Sequence, residues 1–409
     1  MSQTMPPPVF DPFAPGFTDD PYPQYATLRS GAPAGRHPLG FWLLTRYEDV
    51  SGLLRAGMSV EDRSITDRDL IELREQMYGE EAARPRGISM LDRDPPDHTR
   101  LRRLVSKAFT PRAVEALRPR ITGLVDEMLD AAERQARVDL VDALAFPLPF
   151  AVIAEMLGTP PADHERIRQL SGTVVRSLEP VNDPDMAAAI VAADAELTQI
   201  AAEMIAWKRA NPAGDLLTAL INAEDDGDVL DDDELIAQTL LLYIAGHETT
   251  VNLIAGGTLA LLRHPDQLAL LRENPGLIPN AVEELLRYDS PVQATRRVTL
   301  EPASFSGHQI PAGSFVMALL GSANRDESYW GPDAAEVRLD RENARQHVSF
   351  GAGPHHCLGA SLARMETSIA LARLTTRFPG LALDGEVTWN GRINLRGPAR
   401  LPVSLGPDR

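Results

Sequence analysis

The segment from Phe350 to Gly359 carries the one cysteine of the chain, Cys357, in the order Phe-Gly-Ala-Gly-Pro-His-His-Cys-Leu-Gly. Gly351 and Gly353 allow the backbone to turn tightly beside a bulky planar group. A helix is predicted to begin just after Cys357, and its dipole favours a thiolate over a thiol. A free cysteine is more often a small buried hydrophobe. The glycine spacing and the helix start instead predict a reactive sulfur.

Two kinds of chemistry are open to this sulfur. It could ligate the metal of a planar cofactor, or it could act as a nucleophile paired with His355 or His356. The nucleophile hypothesis lacks a third residue, in any recognisable pattern, that would orient the histidine. Metal ligation is therefore the favoured hypothesis, and the nucleophile stays the alternative.

A polar cluster, Ala-Gly-His-Glu-Thr-Thr, occupies positions 245–250 inside a long apolar segment. Ala245 and Gly246 are small enough for a ligand to lie against the helix. The Thr249 hydroxyl can bond the Ala245 carbonyl four residues earlier, which would bend the helix and form a notch for dioxygen. Glu248 and Thr249 could then deliver protons to reduced oxygen. The alternative is a satisfied polar cluster in a core helix.

These segments resemble the cytochrome P450 superfamily. Residues 350–359 match its haem-binding pattern, Phe-Gly-x-Gly-x-His-x-Cys-x-Gly, at every fixed position, and residues 245–250 are similar to its oxygen-activation motif. Glu284-Leu-Leu-Arg287 is similar to its structural Glu-x-x-Arg pair, with Arg341 as a candidate third partner. The resemblance spans nearly the whole chain, from Tyr47-Glu-Asp-Val to the C-terminal strands.

The resemblance implies a haem b cofactor (iron protoporphyrin IX) with Cys357 as the iron ligand, and proton delivery by Thr249 and Glu248. On one predicted helix His98 and Arg102 stand at i and i+4, and the spacing from Pro291 favours Arg297 over Arg296. Each of these charges alone would more often lie on the surface. The further cofactor contacts that the resemblance implies are the propionate partners His98, Arg102, Arg297 and His355, together with Phe350, Gly351, Ala245 and Gly246.

The substrate is expected to be a lipophilic small molecule, oxidised with O2 by hydroxylation or epoxidation. Alignment of the motifs gives these candidates for the pocket lining: Leu241, Ile244 and Ala245 on the long helix, Gln293 and Ala294 on the following strand, and Leu395. Most of the wall is expected from two segments that no motif fixes, Asp62–Ser89 and Ser171–Ala188. The sequence does not distinguish a macrolide from a steroid, terpenoid, aromatic compound or peptide.

The resemblance points to a monooxygenase of the soluble bacterial branch, similar to actinobacterial enzymes that tailor natural products in secondary metabolism. Electrons are expected from a ferredoxin and its ferredoxin reductase. Two other classes stay open. One is a haem-thiolate enzyme that uses peroxide or rearranges its substrate, against which the Glu248-Thr249 pair argues. The other is a non-catalytic haem carrier or helical binding protein, in which the polar notch would have no purpose.

The composition limits the partners. The chain has 409 residues and a formal net charge of −18, which disfavours binding to nucleic acid or to an anionic membrane through the overall field. One cysteine and an N-terminus unlike a signal peptide fit the cytoplasm, and we expect a monomer. One basic segment, Arg100–Arg120, is either a solvated helix face or, together with Arg364, a docking face for an acidic partner protein.

The elements that must position these residues are mostly helical. Asp231 and Glu234 have capping-box spacing before the apolar segment Leu235–Leu262, and Pro265 follows its end. That segment is long enough to cross a bilayer, but its polar interior favours a long buried helix. Two further helices are expected over Ile278–Tyr288 and just after Cys357. Strands are expected at Gly40–Leu44, Val292–Leu300, Phe305–Ile310, Ser314–Leu319 and Ile393–Leu405. The fold class is mainly α with a smaller β region, the cytochrome P450 fold, as a single domain over residues 1–409 with a β-rich N-terminal region and an α-rich haem-binding region.

Overall fold

The computed structural model describes residues 7–68, 70–72, 88–158, 164–180 and 183–406. The chain divides into two compact units, each assembled from three segments. The first unit is formed by Met1–Pro85, Glu283–Cys357 and Gly391–Arg396, and the second by Arg86–Val282, Leu358–Asn390 and Gly397–Arg409. The single domain expected from the sequence stays a prediction.

Helices dominate the described part of the chain. In chain order they are α1 (Tyr22–Gly31), α2 (Tyr47–Arg55), α3 (Asp97–Ala108), α4 (Pro111–Ala116), α5 (Arg118–Glu133), α6 (Pro147–Leu157), α7 (His164–Val174), α8 (Pro184–Ala210), α9 (Leu216–Ile221), α10 (Asp232–Arg263), α11 (Pro265–Glu273), α12 (Ile278–Tyr288), α13 (Leu320–Ala323), α14 (Glu327–Trp330) and α15 (Ala360–Arg377). Short 3-10 turns and one π-helical turn, Val141–Ala145, connect some of them.

The strands are short. In chain order they are β1 (Ala34–Arg36), β2 (Trp42–Leu44), β3 (Arg137–Asp139), β4 (Glu224–Asp225), β5 (Asp228–Val229), β6 (Ala294–Val298), β7 (Ala303–Phe305), β8 (His308–Ile310), β9 (Phe315–Leu319), β10 (Ala382–Leu383), β11 (Thr388–Trp389), β12 (Pro398–Arg400) and β13 (Pro402–Ser404). The first unit contains a four-stranded sheet in the order β1-β2-β9-β6, where only β2 and β9 run parallel. The second unit contains the three-stranded sheet β10-β13-β3.

The long helix α10 begins as predicted from the sequence. The Asp231 side chain accepts a hydrogen bond from the Glu234 backbone, and the Glu234 side chain accepts one from the Asp231 backbone. Three acidic residues in the first turn also suit the positive end of the helix dipole. The helix ends at Arg263, and α11 starts with Pro265, a residue that fits the first helical turn. Among the described residues, no helix is long and apolar enough to cross a membrane.

The other expected helices are also confirmed, and the strand predictions are confirmed in part. Residues 278–288 form α12, and α15 begins three residues after Cys357. The single strand predicted over Phe305–Ile310 is wrong, because a turn at Ser306 and Gly307 splits it into the hairpin β7–β8. Both turn residues have positive φ, +44° and +79°, which a continuous strand does not allow.

Each unit has its own hydrophobic core. In the second unit α10 is buried along most of its length and shares a core with α5, α6 and α15. In the first unit α2 packs with the sheet and α13, through residues such as Leu53, Val316 and Ala323. These cores fix the helices and strands that carry the candidate site residues.

Candidate functional site

The loop that carries Cys357 depends on two left-handed glycines in the first unit. Gly351 has φ +67° and Gly353 has φ +69°. A Cβ at Gly353 would lie 2.4 Å from the Leu54 carbonyl oxygen, so the end of α2 approaches the loop too closely for any larger residue. The Cys357 N–H donates to the Phe350 carbonyl at 2.9 Å, which closes the loop. The cysteine side chain is exposed, so its sulfur is accessible to a ligand.

One face of α10 is accessible although the helix around it is buried. Leu241, Ile244, Glu248 and Thr249 are half-buried and Ala245 is exposed. These five residues, which we call the α10 stripe, recur at i, i+3, i+4, i+7 and i+8, the spacing of one helical face. The sequence predicted separate roles for these residues in substrate contact, oxygen binding and proton delivery, and in the structure they lie on one face.

Local hydrogen bonds within the motif follow the sequence prediction. The Thr249 hydroxyl donates to the Ala245 carbonyl at 2.9 Å, which is confirmed. Thr250 makes the same bond to the Gly246 carbonyl at 3.0 Å, but its side chain is buried. The helix continues without a break through both residues. The expected bend therefore does not interrupt it.

Gly246 is small for a different reason from the one expected. A Cβ at this position would lie 2.9 Å from Cδ1 of Ile153 on α6. The glycine therefore lets α6 approach α10 closely. Its assignment as a cofactor contact stays a prediction, while the exposed Ala245 is better placed for that role.

The Glu284–Arg287 pair is fully buried in the first unit. The Arg287 guanidinium donates two bonds to the Glu284 carboxylate, at 2.7 and 2.8 Å, and further bonds to the carbonyls of Asn324, Ala334 and Glu336. Arg341 Nε lies 3.2 Å from both Glu284 oxygens, so the third partner suggested by the sequence is present. This network braces the chain segment that leads to the cysteine loop.

The propionate candidates fall into two sets by unit. His98, which is buried, and Arg102, which is half-buried, lie on α3 in the second unit. Arg297, on β6, and His355 lie in the first unit. Arg297 is buried and bonds the Arg296 carbonyl at 2.6 Å.

Arg296, the neighbour of Arg297 on β6, is the alternative propionate partner in this segment. Arg296 already forms an ion pair with Asp62, which leaves it less suited to bind another carboxylate. The neighbouring Arg297 donates to the Thr295 hydroxyl and to the Arg296 carbonyl. The four roles at the propionates stay predictions.

The comparisons with known proteins decide the family. Residues 185–388 match the family model described as Cytochrome P450. The chain is 42% identical to Cytochrome P450 107B1 of Saccharopolyspora erythraea, over 96% of this chain and 97% of the relative. The chain belongs to the cytochrome P450 family. It is also 42% identical to Cytochrome P450 monooxygenase PikC of Streptomyces venezuelae, over 98% of this chain and 95% of PikC. The solved structure of P450 PksS from Bacillus subtilis matches with a TM-score of 0.86 at 35% identity, over 98% of this chain and 100% of PksS.

Family membership confirms the predicted fold, enzyme class and cofactor. This chain is a cytochrome P450 monooxygenase with the P450 fold, and it binds haem b. The donor set fits that cofactor. It contains an accessible sulfur before a helix, an accessible stripe of apolar and polar residues on α10, and cationic side chains of the kind that bind two propionates.

The predicted substrate positions of the P450 differ in accessibility. Leu241, Ile244 and Ala294 are half-buried, as pocket residues can be, whereas Gln293 and Leu395 are buried. The Gln293 amide donates to the Ser290 carbonyl at 2.7 Å, and its oxygen occupies the space that a Cβ at Gly321 would need. Leu395 lies in a β-bridge with Val292. These contacts favour packing roles for Gln293 and Leu395.

The two expected wall segments are described only in part. Within Asp62–Ser89, residue 69 and residues 73–87 lie outside the described residues. Within Ser171–Ala188, residues 181–182 do so as well. Ser171 itself is buried and lines a small cavity.

The basic segment Arg100–Arg120 is largely paired with acidic groups of the same unit. Asp225, in the hairpin β4–β5, binds both Arg103 and Lys107. Arg100 binds Asp228 and Glu234. Arg118 and Arg120 pair with Glu115 and Glu155. This pairing reduces the positive charge that the segment could offer to a partner, and its docking role stays a prediction.

Two buried titratable groups of the P450 were not singled out from the sequence. Burial lowers the pKa of His247 to about 4, and the nearby Arg168 charge acts in the same direction. Burial alone raises the pKa of Glu366, on α15, to about 8. His247 could have been noticed because it stands inside the 245–250 motif. Glu366 has no local signal, since only the packing of α15 shows its burial.

Proposed function

We propose that this P450 inserts one oxygen atom from O2 into a lipophilic small molecule in secondary metabolism, with electrons from a ferredoxin and its reductase. The observation that carries the proposal is the α10 stripe, where apolar Leu241 and Ile244 lie one to two turns before Glu248 and Thr249 on one accessible face. The same helix surface can therefore contact an apolar substrate and carry the side chains that deliver protons.

The relatives support the reaction class more than any one substrate. Similar chains include Vitamin D(3) 25-hydroxylase of Pseudonocardia autotrophica at 42% identity and Nocardicin C N-oxygenase of Nocardia uniformis at 41%. Their names describe attack at carbon and at nitrogen of unlike molecules. The proposal therefore commits to a lipophilic substrate class, and to the cytoplasm and a monomeric state on the basis of the single cysteine and the acidic charge.

Haem b, when bound, supplies the iron at which dioxygen is activated. Cys357 would hold that iron through its sulfur, and His98, Arg102, Arg297 and His355 would hold the propionates. Ala245 offers an exposed methyl surface beside which a planar group can lie. Phe350 and Gly351 shape the loop that presents the sulfur.

Proton transfer is the part of the reaction that we assign to side chains of the protein itself. The Thr249 O–H donates to the Ala245 carbonyl, which fixes the oxygen Oγ1 with its lone pairs available to accept a hydrogen bond. Glu248 is half-buried on the same stripe, one residue earlier. We assign Thr249 and Glu248 to holding and passing protons on this face.

Thr249→Ala and Thr250→Ala form a matched test, because both remove a hydroxyl bonded to the carbonyl four residues earlier. With NADPH, ferredoxin reductase, ferredoxin and a substrate found by absorbance screening, Thr249→Ala should lower product formed per NADPH by roughly ten- to a hundredfold. Thr250→Ala should leave that ratio within about twofold, because its side chain is off the stripe. Full coupling in Thr249→Ala would contradict the assignment.

The absorption spectrum of the reduced protein under carbon monoxide provides an independent control for both variants. A strongly red-shifted Soret band in wild type and variants shows that the thiolate of Cys357 is in place. A band typical of histidine-ligated haem in correctly folded wild type would instead refute Cys357 as the ligand.

A further inference from the structure

His247 belongs to the Ala-Gly-His-Glu-Thr-Thr motif of α10 but lies off the α10 stripe. It is 5% exposed, whereas Glu248 and Thr249, the next two residues, are half-buried on the accessible face. Its imidazole meets the Phe146 and Phe150 rings edge to face, with ring centroids 4.4 and 5.6 Å away. The side chains assigned to protons are therefore backed by a histidine that packs against another part of the second unit.

The imidazole is also hydrogen-bonded to the backbone of Phe146. The nitrogen involved is Nδ1, because Nε2 is buried and has no hydrogen-bond partner among the described residues. The Phe146 N–H already donates to the Val141 carbonyl at 2.8 Å, so the group that meets the imidazole is the Phe146 carbonyl. Burial lowers the pKa of His247 to about 4, which keeps the ring neutral near pH 7. A carbonyl only accepts, so Nδ1 carries the hydrogen and Nε2 the lone pair.

The acceptor lies at the junction of two helical segments. Phe146 follows the π-helical turn Val141–Ala145 and directly precedes Pro147, the first residue of α6. Single wide turns of this kind are frequent at functional sites. A carbonyl at the N-cap position also accepts the first bond within its own helix. The Phe146 carbonyl would therefore keep a partner if His247 were replaced.

The helix at the motif gains from an external anchor. The Thr249 and Thr250 hydroxyls bond the carbonyls four residues earlier, those of Ala245 and Gly246. Such bonds slightly destabilise a helix and often bend it. Glycine within a helix adds backbone freedom at the same turn. A bond from this turn to a neighbouring element therefore restrains a part of α10 that its own hydrogen bonds hold less firmly.

Histidine is not the residue that packing alone would favour here. Leucine has a similar size and would fill the space beside the two phenylalanine rings without burying an unpartnered nitrogen. What leucine lacks is a directional bond. A hydrogen bond weakens steeply away from its preferred angles, whereas apolar contacts tolerate small rotations. The imidazole of His247 therefore specifies the rotation of α10 about its axis more tightly than an apolar side chain would.

We propose that His247 is a positioning residue, whose hydrogen bond to the Phe146 carbonyl fixes the rotation of α10 at the motif and so the positions of Glu248 and Thr249. The inference rests on the proposed function, which assigns protons to these two side chains. A side-chain atom about 5–6 Å from a helix axis moves by about 1 Å when the helix turns by about 10°. Misplacing a reacting group by about 1 Å can slow a reaction roughly a hundredfold.

The test compares His247→Leu, His247→Asn and Phe150→Leu in the haem-loaded protein. Leucine removes the donor, the asparagine amide can donate to the same carbonyl in place of Nδ1, and Phe150→Leu removes a ring contact but leaves the bond. Under the conditions of the Thr249→Ala experiment, His247→Leu should lower product formed per NADPH by about tenfold, with the lost electrons recovered as peroxide or water. The other two variants should stay within about threefold of wild type, and the substrate KM should change by less than about twofold in all three.

Amide hydrogen exchange reports the helix itself, without turnover. A peptide that covers the motif should exchange about fivefold faster in His247→Leu than in wild type, and His247→Asn should restore the slow rate. A peptide from residues 255–262, further along α10, should be unchanged. Thermal unfolding separates positioning from stability. Phe150→Leu should lower the unfolding temperature by several degrees with coupling kept, whereas His247→Leu should leave it unchanged or raise it.

Four results would overturn the proposal. They are full coupling in His247→Leu, equal uncoupling in His247→Leu and His247→Asn, equal uncoupling in His247→Leu and Phe150→Leu, and a fall of several degrees in the unfolding temperature of His247→Leu. A His247→Leu protein that cannot be isolated in folded form counts with the last of these, because the histidine would then support the fold.

Failure of the proposed function is recognised separately. Full coupling in Thr249→Ala would refute the assignment of protons to the α10 stripe. Loss of coupling in Thr249→Ala together with full coupling in His247→Leu would instead refute only the role of His247.

Discussion

Gly353 allows a direct test of the contact between α2 and the cysteine loop. Replacing it with alanine has two separable costs. An alanine at φ +69° lies in the left-handed region, which costs about 1–2 kcal/mol. The new Cβ would also lie 2.4 Å from the Leu54 carbonyl oxygen and 3.2 Å from the Arg55 Cα. Both atoms are backbone, so the loop or the end of α2 must shift, at about 1–3 kcal/mol.

Gly57→Ala isolates the first of these costs. Gly57 has φ +66° and lies just beyond α2, but a Cβ there would meet no atom within 4 Å. We expect Gly57→Ala to lower the free energy of unfolding by about 1–2 kcal/mol and Gly353→Ala by about 2–5 kcal/mol. The difference of about 1–3 kcal/mol corresponds to roughly five- to 150-fold in the ratio of folded to unfolded protein.

Urea unfolding at equal haem saturation measures the difference, because bound cofactor adds its own stabilisation. The carbon monoxide spectrum gives a local readout, since Cys357 lies four residues after Gly353. Gly353→Ala should increase the fraction of protein that lacks the red-shifted band, and Gly57→Ala should not. Equal losses of stability in the two variants, with unchanged spectra in both, would refute the role given to the close approach of α2.

Two further predictions concern buried ionisable side chains. Glu366→Gln should flatten the pH dependence of the free energy of unfolding. Burial raises the pKa of Glu366 from an ordinary 4.5 to about 8, so the folded state favours the protonated carboxyl. Its contribution to the free energy of unfolding is therefore complete below pH 4.5, and up to ~5 kcal/mol of it is lost as the pH rises to 8. Parallel urea midpoints for the variant and for wild type between pH 5 and 8 would contradict this, and the exposed Glu386→Gln controls for general charge effects. Arg341→Lys should cost about 2–4 kcal/mol because lysine cannot reproduce the guanidinium bonds to buried Glu284. Arg338→Lys, at a more exposed arginine, should cost less than about 1 kcal/mol when both variants are measured by urea unfolding, and equal costs would count against the network.

The sequence predicted features that depend on local geometry. The capping box of α10, the Thr249 bond to the Ala245 carbonyl and the tight turning at the glycines of the cysteine loop each involve residues within a few positions of one another. Backbone geometry fixes such relations, so residue types and spacing are sufficient to predict them.

Features that depend on distant chain segments were not predictable in the same way. The contact of Gly246 with Ile153, the packing of Gln293 against Gly321 and the pairing of Asp225 with α3 all join residues far apart or on different elements. The hairpin β7–β8 is a different case. Its Ser306-Gly307 turn is a local signal that strand-like neighbours obscured.

The α10 stripe separates two tasks within one helix. Residues on its other faces include the fully buried core positions, whereas Leu241 and Ile244 are half-buried and pack against that core from its edge. Substitutions at these two positions should therefore alter what the enzyme accepts at a smaller loss of stability than substitutions at the fully buried positions of α10. Such a division lets a lineage explore new substrates without first acquiring compensating mutations. It also makes the two positions the natural starting points for a library aimed at new oxidations.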